Sequence, residues 1–446
     1  MKANKYPFYF IIAALVALVL GLVVGFLAGI QYVLPTFIKE ILPFTVLRPL
    51  HTLFVISWII LGATGVIYYY LNTASNAFLY SSKLLKWHFW IFMATGLGLV
   101  VAYLCKNFEG KEYIEFPSYF YFPIVMGWVL FGLNYIKTVL PGFKKWPAYY
   151  WMWGTGIGFM IYHFTEAHLW MLPYFRAHYI QNLAIQWKAG GSFVGAWNML
   201  VYGTALYVMA KISKDEVYAN SNKTFFFYFL GLANLMFGWA HHIYIVPTAP
   251  WIRYVAYAIS MTEWVVLFSI INDWRKRVTP ANKKDYPFAY RFILLADIWV
   301  FLNVFLALLI SIPAINLFTH GTHITVAHSM GTTIGINTFI LLASITYILE
   351  SKASFAAIPA IRMRRWIALF HNSFIGFWVV LLLMGLKKIY WAQVTPTVLF
   401  SQLQDQLYSI HLLFLLFGTG ILVGLVGLVY ELLQKIKSID HSSTEG

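Results

Sequence analysis

One feature recurs from end to end of this chain: apolar runs of about 20 residues, the length an α-helix needs to cross the hydrocarbon core of a bilayer. About twelve such runs lie near 8–32, 45–71, 87–106, 117–139, 148–170, 189–210, 224–246, 252–272, 290–312, 322–349, 366–387 and 406–434. Backbone groups in hydrocarbon must find hydrogen bonds within their own segment, so runs of this kind fold as helices. The expected fold class is therefore all-α, an integral membrane bundle of about twelve transmembrane helices surrounded by membrane lipid. Composition supports this, because 11% charged and 61% hydrophobic residues in a 446-residue chain leave too little polar surface for a water-soluble domain. The connectors are short, so residues 1–446 read as a single twelve-helix membrane domain. The first run starts near Phe8 and carries no small-residue cleavage pattern after it, which reads as a retained span rather than a signal peptide.

The formal net charge of +15 would suggest nucleic acid in a soluble protein. Here the basic residues cluster in every second connector: Lys83 and Lys86, Lys144 and Lys145, Lys211 and Lys214, Arg275 to Arg277, and Arg362, Arg364 and Arg365. That alternation reads as a topology signal and excludes a nucleic-acid partner. It places Lys2, Lys5, Lys435 and Lys437, and hence both termini, on the cytoplasmic side. The single cysteine, Cys105, excludes an internal disulfide, and no CxxCH motif is present to attach a haem covalently.

Polar side chains inside a span are costly, and several point to chemistry. Thr319 to Gly331 contains His320, His323, His328 and Met330 at the start of the tenth run. Residues two apart on a helix project about 200° apart, so His328 and Met330 suit two different haems on opposite sides of one helix. Imidazole and thioether both ligate haem iron, although a methionine also fills apolar cores and a histidine also sits buried with its hydrogen bonds satisfied. His51 opens the second run, and His241 and His242 close the seventh. Neutral imidazoles are common ligands of iron and copper; an interfacial pair facing water is the structural alternative. Glu263 lies within the eighth run, where a lone carboxyl implies a role. His88, His371 and His411 read as packing or hydrogen-bonding residues.

These residues resemble the large subunit of the haem-copper oxidase superfamily, over nearly the full length of the chain, and within it the nitric oxide reductase branch. Arg48-Pro49-Leu50-His51-Thr52, with Trp58, Gly62, Gly65 and Tyr68 to Tyr70, is similar to the second helix of that branch, and Thr319 to His328 is similar to its tenth. The resemblance implies that His51 binds a low-spin haem b, His328 a high-spin haem b, and His241 and His242 a non-haem Fe. It implies that Glu263, 22 positions after His241, is the buried glutamate near that iron. Lys111 to Pro117 is similar to an outer loop in which a glutamate, here Glu115, serves a Ca2+ site between haem propionates. The oxygen-reducing relatives closest to this branch carry a redox tyrosine six positions before the histidine pair; here that position is Leu235.

Three positions depart from the family pattern. Gly190 and Val194 stand where the family has a third iron histidine and a glutamate, and Met330 stands where it has a second histidine on the low-spin haem. His163, Glu166 and His168, at the end of the fifth run, are the candidate replacements, because two histidines with a carboxylate or a third imidazole suit non-haem Fe(II). The expected activity is reduction of NO to N2O in a bacterial inner membrane, with Glu263 and Glu166 the candidate catalytic carboxylates. Electrons would come from a cytochrome c-type small subunit or from quinol. The rival functions are an altered-site homologue such as an NO dismutase, a terminal oxygen reductase, and a non-catalytic haem protein.

Overall fold

The computed structural model describes residues 5–73, 79–244 and 246–442, and within them the side chains of all but 218, 241, 260, 262–268 and 440–442. Among the described residues, long helical segments overlap the apolar runs. They are α1 (Tyr6–Val33), α2 (Phe44–Thr73), α3 (Ser82–Leu104), α4 (Tyr121–Val139), α5 (Ala148–Ala167), α6 (Tyr179–Ser213) and α7 (Asn222–Phe237). They continue with α8 (Pro250–Arg277), α9 (Pro287–Ser311), α10 (His323–Glu350), α11 (Ala357–Val394) and α12 (Phe400–Ser442). Among the described residues, nine helices are long and apolar enough to cross a membrane. The only extended pairing among the described residues is a single bridge between Lys111 and Ile114 in the loop before α4.

Local sequence sets the helix ends. Ser81 and Ser221 accept hydrogen bonds from the backbone N–H groups of Leu84 and Thr224, satisfying donors that the first turn leaves open. Pro250 and Pro287 sit at helix starts, where a missing N–H costs nothing. The N-terminus of α9 is capped from a distance: the Glu350 carboxylate accepts from Phe288 N at 3.0 Å and Ala289 N at 3.1 Å. A buried carboxyl oxygen at each of these N–H groups satisfies two donors that the first turn leaves open.

Two expected runs are interrupted. α7 ends at Phe237, and Gly238–His242 forms a tight 3-10 turn, so the His241–His242 pair lies in that turn rather than on an α-helical end. Trp239 Nε1 donates back to the Met236 carbonyl at 2.6 Å, closing the turn. In α10 the α-helix of His323–Met330 gives way to a π-helical segment, Gly331–Thr338, before α-geometry resumes at Phe339.

The expectation of one domain over 1–446 stands beside a packing that separates two compact units. The first comprises Met1–Ala14 and Ile56–Lys283, the second Leu15–Val55 and Lys284–Gly446. In the first, α5 packs along α6 and α3 along α4, with Tyr70 stacked on Tyr207 at 3.9 Å between ring centroids. In the second, α11 packs along α12, and α9 lies against α10.

Candidate haem and metal sites

In the second unit, α2 brings His51 against α1. The ring Nδ1 lies 2.8 Å from the Gly21 carbonyl oxygen, which can only accept, so Nδ1 carries the proton. That hydrogen bond leaves Nε2 unprotonated, the arrangement by which a second-shell carbonyl orients a metal-ligating imidazole. Gly25 makes the approach possible, since a Cβ there would stand 2.5 Å from His51 Nδ1.

His328 and Met330 occupy the short α-helical opening of α10. His328 Nδ1 is buried and makes no hydrogen bond of ordinary geometry. Met330 packs against the cluster of Leu306, Ile310, Ile324, Ala327 and Leu381, beside Phe377 and Trp378. Its surroundings are those of a core methionine, and a thioether role on a haem remains an inference from sequence. His323 Nδ1 is buried without a partner, as are His371 Nε2 on α11 and His411 Nε2 on α12. The ring of His411 lies 5.4 Å from that of Tyr32. Sequence reasoning assigned His371 and His411 to packing; the signal it lacked was which ring nitrogens the fold leaves without hydrogen bonds.

In the first unit, α6 carries two separate polar groupings. His242 stacks beside Trp187 at 6.5 Å, and a Cβ on Gly191 would stand 3.0 Å from the His242 ring. Lys188 instead pairs with the Glu166 carboxylate of α5, which also holds His163 Nδ1 at 3.0 Å. Trp187 and Lys188 are neighbours, about 100° apart round the helix, so His242 and the Glu166 pair meet different sides of α6. Gly190 lies about 200° from Lys188, and a Cβ there would meet nothing within 4 Å. The position that the resemblance gives to a histidine therefore opens on free space, away from the proposed replacements.

Glu166 has both oxygens engaged, one by an ammonium, while His163 Nε2 is buried without a partner. Of the two, His163 offers the open donor atom, with Glu166 as its orienting carboxylate. His168 Nδ1 lies 2.8 Å from the Phe164 carbonyl, and its ring packs among Phe116, Phe164 and Tyr121. Phe116 belongs to the loop that carries Glu115, whose backbone carbonyl accepts from Glu109 N at 2.9 Å. In the same loop the Glu109 carboxylate accepts from Ser118 N at 2.7 Å and Ser118 Oγ at 2.9 Å. These bonds hold its pKa below the ordinary value.

Among the described residues no group of three or more His, Cys, Asp or Glu side chains stands close enough to hold a metal ion. The side chains of His241 and Glu263, both expected at the iron site, lie outside the described residues. The described donors thus fit an axial imidazole at His51, while the non-haem metal site is not assembled by them alone.

Long apolar helices with imidazoles buried among them define a polytopic membrane protein. Residues 6–420 match the family described as Cytochrome C and Quinol oxidase polypeptide I, and the chain belongs to that family, the haem-copper oxidase subunit I superfamily. It is 25% identical over 476 aligned positions to a nitric oxide reductase subunit of Stutzerimonas stutzeri, covering 97% of this chain and 95% of that protein. It is 23% identical over 386 positions to cytochrome c oxidase subunit 1 of Rhodobacter capsulatus, covering 78% and 69%. A solved heme-copper terminal oxidase dimer shares the fold at a TM-score of 0.69 and 12% identity, with 97% of this chain and 84% of that chain covered. Members of this family are haem-binding oxidoreductases.

Proposed function

We propose that the chain is the catalytic subunit of a respiratory nitric oxide reductase, carrying out 2 NO + 2 e⁻ + 2 H⁺ → N2O + H2O. The observation that carries this reading is the end-to-end similarity to a nitric oxide reductase subunit. Leu235 supports it: the side chain is buried, and a Cβ on Gly195 would lie 3.2 Å from its Cα, so α6 packs directly against a residue with no hydroxyl. Oxygen-bond cleavage needs a further electron and proton donor near the metal, whereas joining two NO molecules does not.

In this reading His51, with Met330, holds a low-spin haem b that receives electrons, and His328 holds a high-spin haem b. His241 and His242 hold a non-haem iron, with the third donor drawn from His163, Glu166 or His168. When bound, such haems and iron would supply the redox chemistry that NO reduction needs. Glu263 moves protons near the iron, and Glu115 contributes to a Ca2+ site. The protein's own work is to orient imidazoles, as the Gly21 carbonyl does for His51, and to keep the site dry. Electrons arrive from a cytochrome c-type small subunit or quinol, and the chain sits in a bacterial inner membrane with both termini on the cytoplasmic side.

The open space at Gly190 favours a second reading, an altered-site homologue such as an NO dismutase, because the family's third histidine and glutamate are replaced by groups that cannot ligate. Purified protein supplied with reductant and isotopically labelled NO separates the readings. Labelled N2O supports the reductase, and labelled N2 with O2 supports dismutation. Oxygen uptake without N2O would indicate a terminal oxidase. Tight NO binding without turnover would overturn all three catalytic readings in favour of a non-catalytic haem protein. Replacing His163, Glu166 and His168 singly with alanine and measuring non-haem iron tests the third ligand; unchanged iron in all three variants removes them from the site.

A further inference from the structure

The π-helical segment Gly331–Thr338 begins three residues after His328, and α9 lies against it face to face. Two residues one turn apart on α9 meet two glycines one turn apart on the segment. A Cβ on Gly335 would stand 2.6 Å from Trp299 Cγ, and one on Gly331 would stand 2.1 Å from Asn303 Oδ1. Only glycine admits so close an approach. Asn303 Nδ2 donates to Thr332 Oγ1 at 2.8 Å, and Thr332 Oγ1 donates to the His328 carbonyl at 3.2 Å. Because the threonine proton is spent on His328, Asn303 must present its NH2 to Thr332, which fixes the amide orientation.

Three buried side chains in this neighbourhood each have a polar atom with no partner: Trp299 Nε1, Asn303 Oδ1 and, from α11, His371 Nε2. Trp299 is 0% exposed and Asn303 is 1% exposed. The His371 ring stands 6.3 Å from that of Trp299 and 5.9 Å from that of Phe339. An indole donor, an amide acceptor and an imidazole that can serve as either make up the partner set of one buried water, which makes about three hydrogen bonds. The π-helical segment spans eight residues, and its wider turns rotate the helix before it relative to the helix after it; such departures are frequent at functional sites.

We propose that Trp299, Asn303 and His371 enclose a buried water against the π-helical segment, and that this site fixes the rotation of the helix opening that carries His328. Asn303 is a positioning residue, acting on His328 through Thr332 and the water. The part concerning His328 rests on its proposed place as a haem ligand.

The test joins a density map of the purified protein to resonance Raman spectra of Asn303→Leu, His371→Phe and His328→Ala. The expected map shows a water within hydrogen-bond distance of at least two of the three atoms. Asn303→Leu is expected to shift or broaden the iron–imidazole stretching band while haem content stays at the wild-type level. An empty cavity in the wild-type map, or an unchanged band in Asn303→Leu, overturns the proposal. If Asn303→Leu does not fold, His371→Phe takes its place: loss of the water with a shifted band supports the site, and an unaltered band overturns it. His328→Ala separates the two inferences, since persistence of the band there refutes the haem assignment while the map still decides the water.

Discussion

Replacing Gly25 with alanine tests the contact on which the haem reading of His51 depends. The new methyl would stand 2.5 Å from His51 Nδ1 and 2.6 Å from Cε1, where ordinary contact begins at 3.4 Å, so the ring must move by about 0.9 Å. A shift of that size breaks the 2.8 Å hydrogen bond to the Gly21 carbonyl and turns Nε2 away from its set direction. Losing a buried hydrogen bond costs about 1–3 kcal/mol. Losing an orienting partner of a metal-bound imidazole weakens metal binding by about 10–100-fold, or about 1.4–2.8 kcal/mol. The two routes agree, so Gly25→Ala is expected to lose low-spin haem by about one to two orders of magnitude in affinity. The assay is the haem-to-protein ratio by pyridine haemochrome, with the reduced low-spin band followed as haem is titrated back. Gly21→Ala is the control, because its methyl meets Phe54 Cβ at 3.3 Å and keeps the carbonyl in place. A Gly25→Ala protein with wild-type haem content and spectrum, while its ring is displaced, would refute the reasoning.

Other perturbations read other parts of the structure. Glu350→Ala removes the acceptor for Phe288 N and Ala289 N, and is expected to destabilise the second unit by about 1–3 kcal/mol, seen as a lower Tm in detergent; Glu350→Gln should recover part of it. Glu109 has a folded-state pKa held below the ordinary carboxylate value of about 4.3 by Ser118. Its contribution is therefore complete above that value and is lost as pH falls through the depressed one. Protection of the Ser118 amide, measured against the intrinsic exchange rate at the same pH, should fall only under acid conditions, and Glu109→Gln should remove that acid-dependent loss. Gly190→His projects an imidazole into free space and is expected to raise non-haem iron content, measured by elemental analysis; unchanged iron would place that position away from the metal.

Helix after helix was legible in the chain because a bilayer leaves the backbone no other way to satisfy its polar groups, and the apolar run lengths carry that constraint directly. The free Cys105 follows equally, since the sequence holds no second cysteine. Family membership was legible too, since His51 and the Thr319 to His328 run hold their characteristic neighbours within a few positions.

What the sequence could not set is which ring nitrogen meets which group, because that depends on contacts between segments far apart in the chain. The Gly21 carbonyl lies 30 residues from His51 yet fixes its tautomer. Lys188 reaches Glu166 across 22 residues and occupies a carboxylate that, read alone, looked free to bind metal. The π-helical turn after Met330 and the 3-10 turn at His241–His242 likewise depend on tertiary packing, which can outweigh the small energy differences between neighbouring helical forms. Local residue chemistry determined the spans and named the imidazoles; only the packing of one helix against another decided their partners.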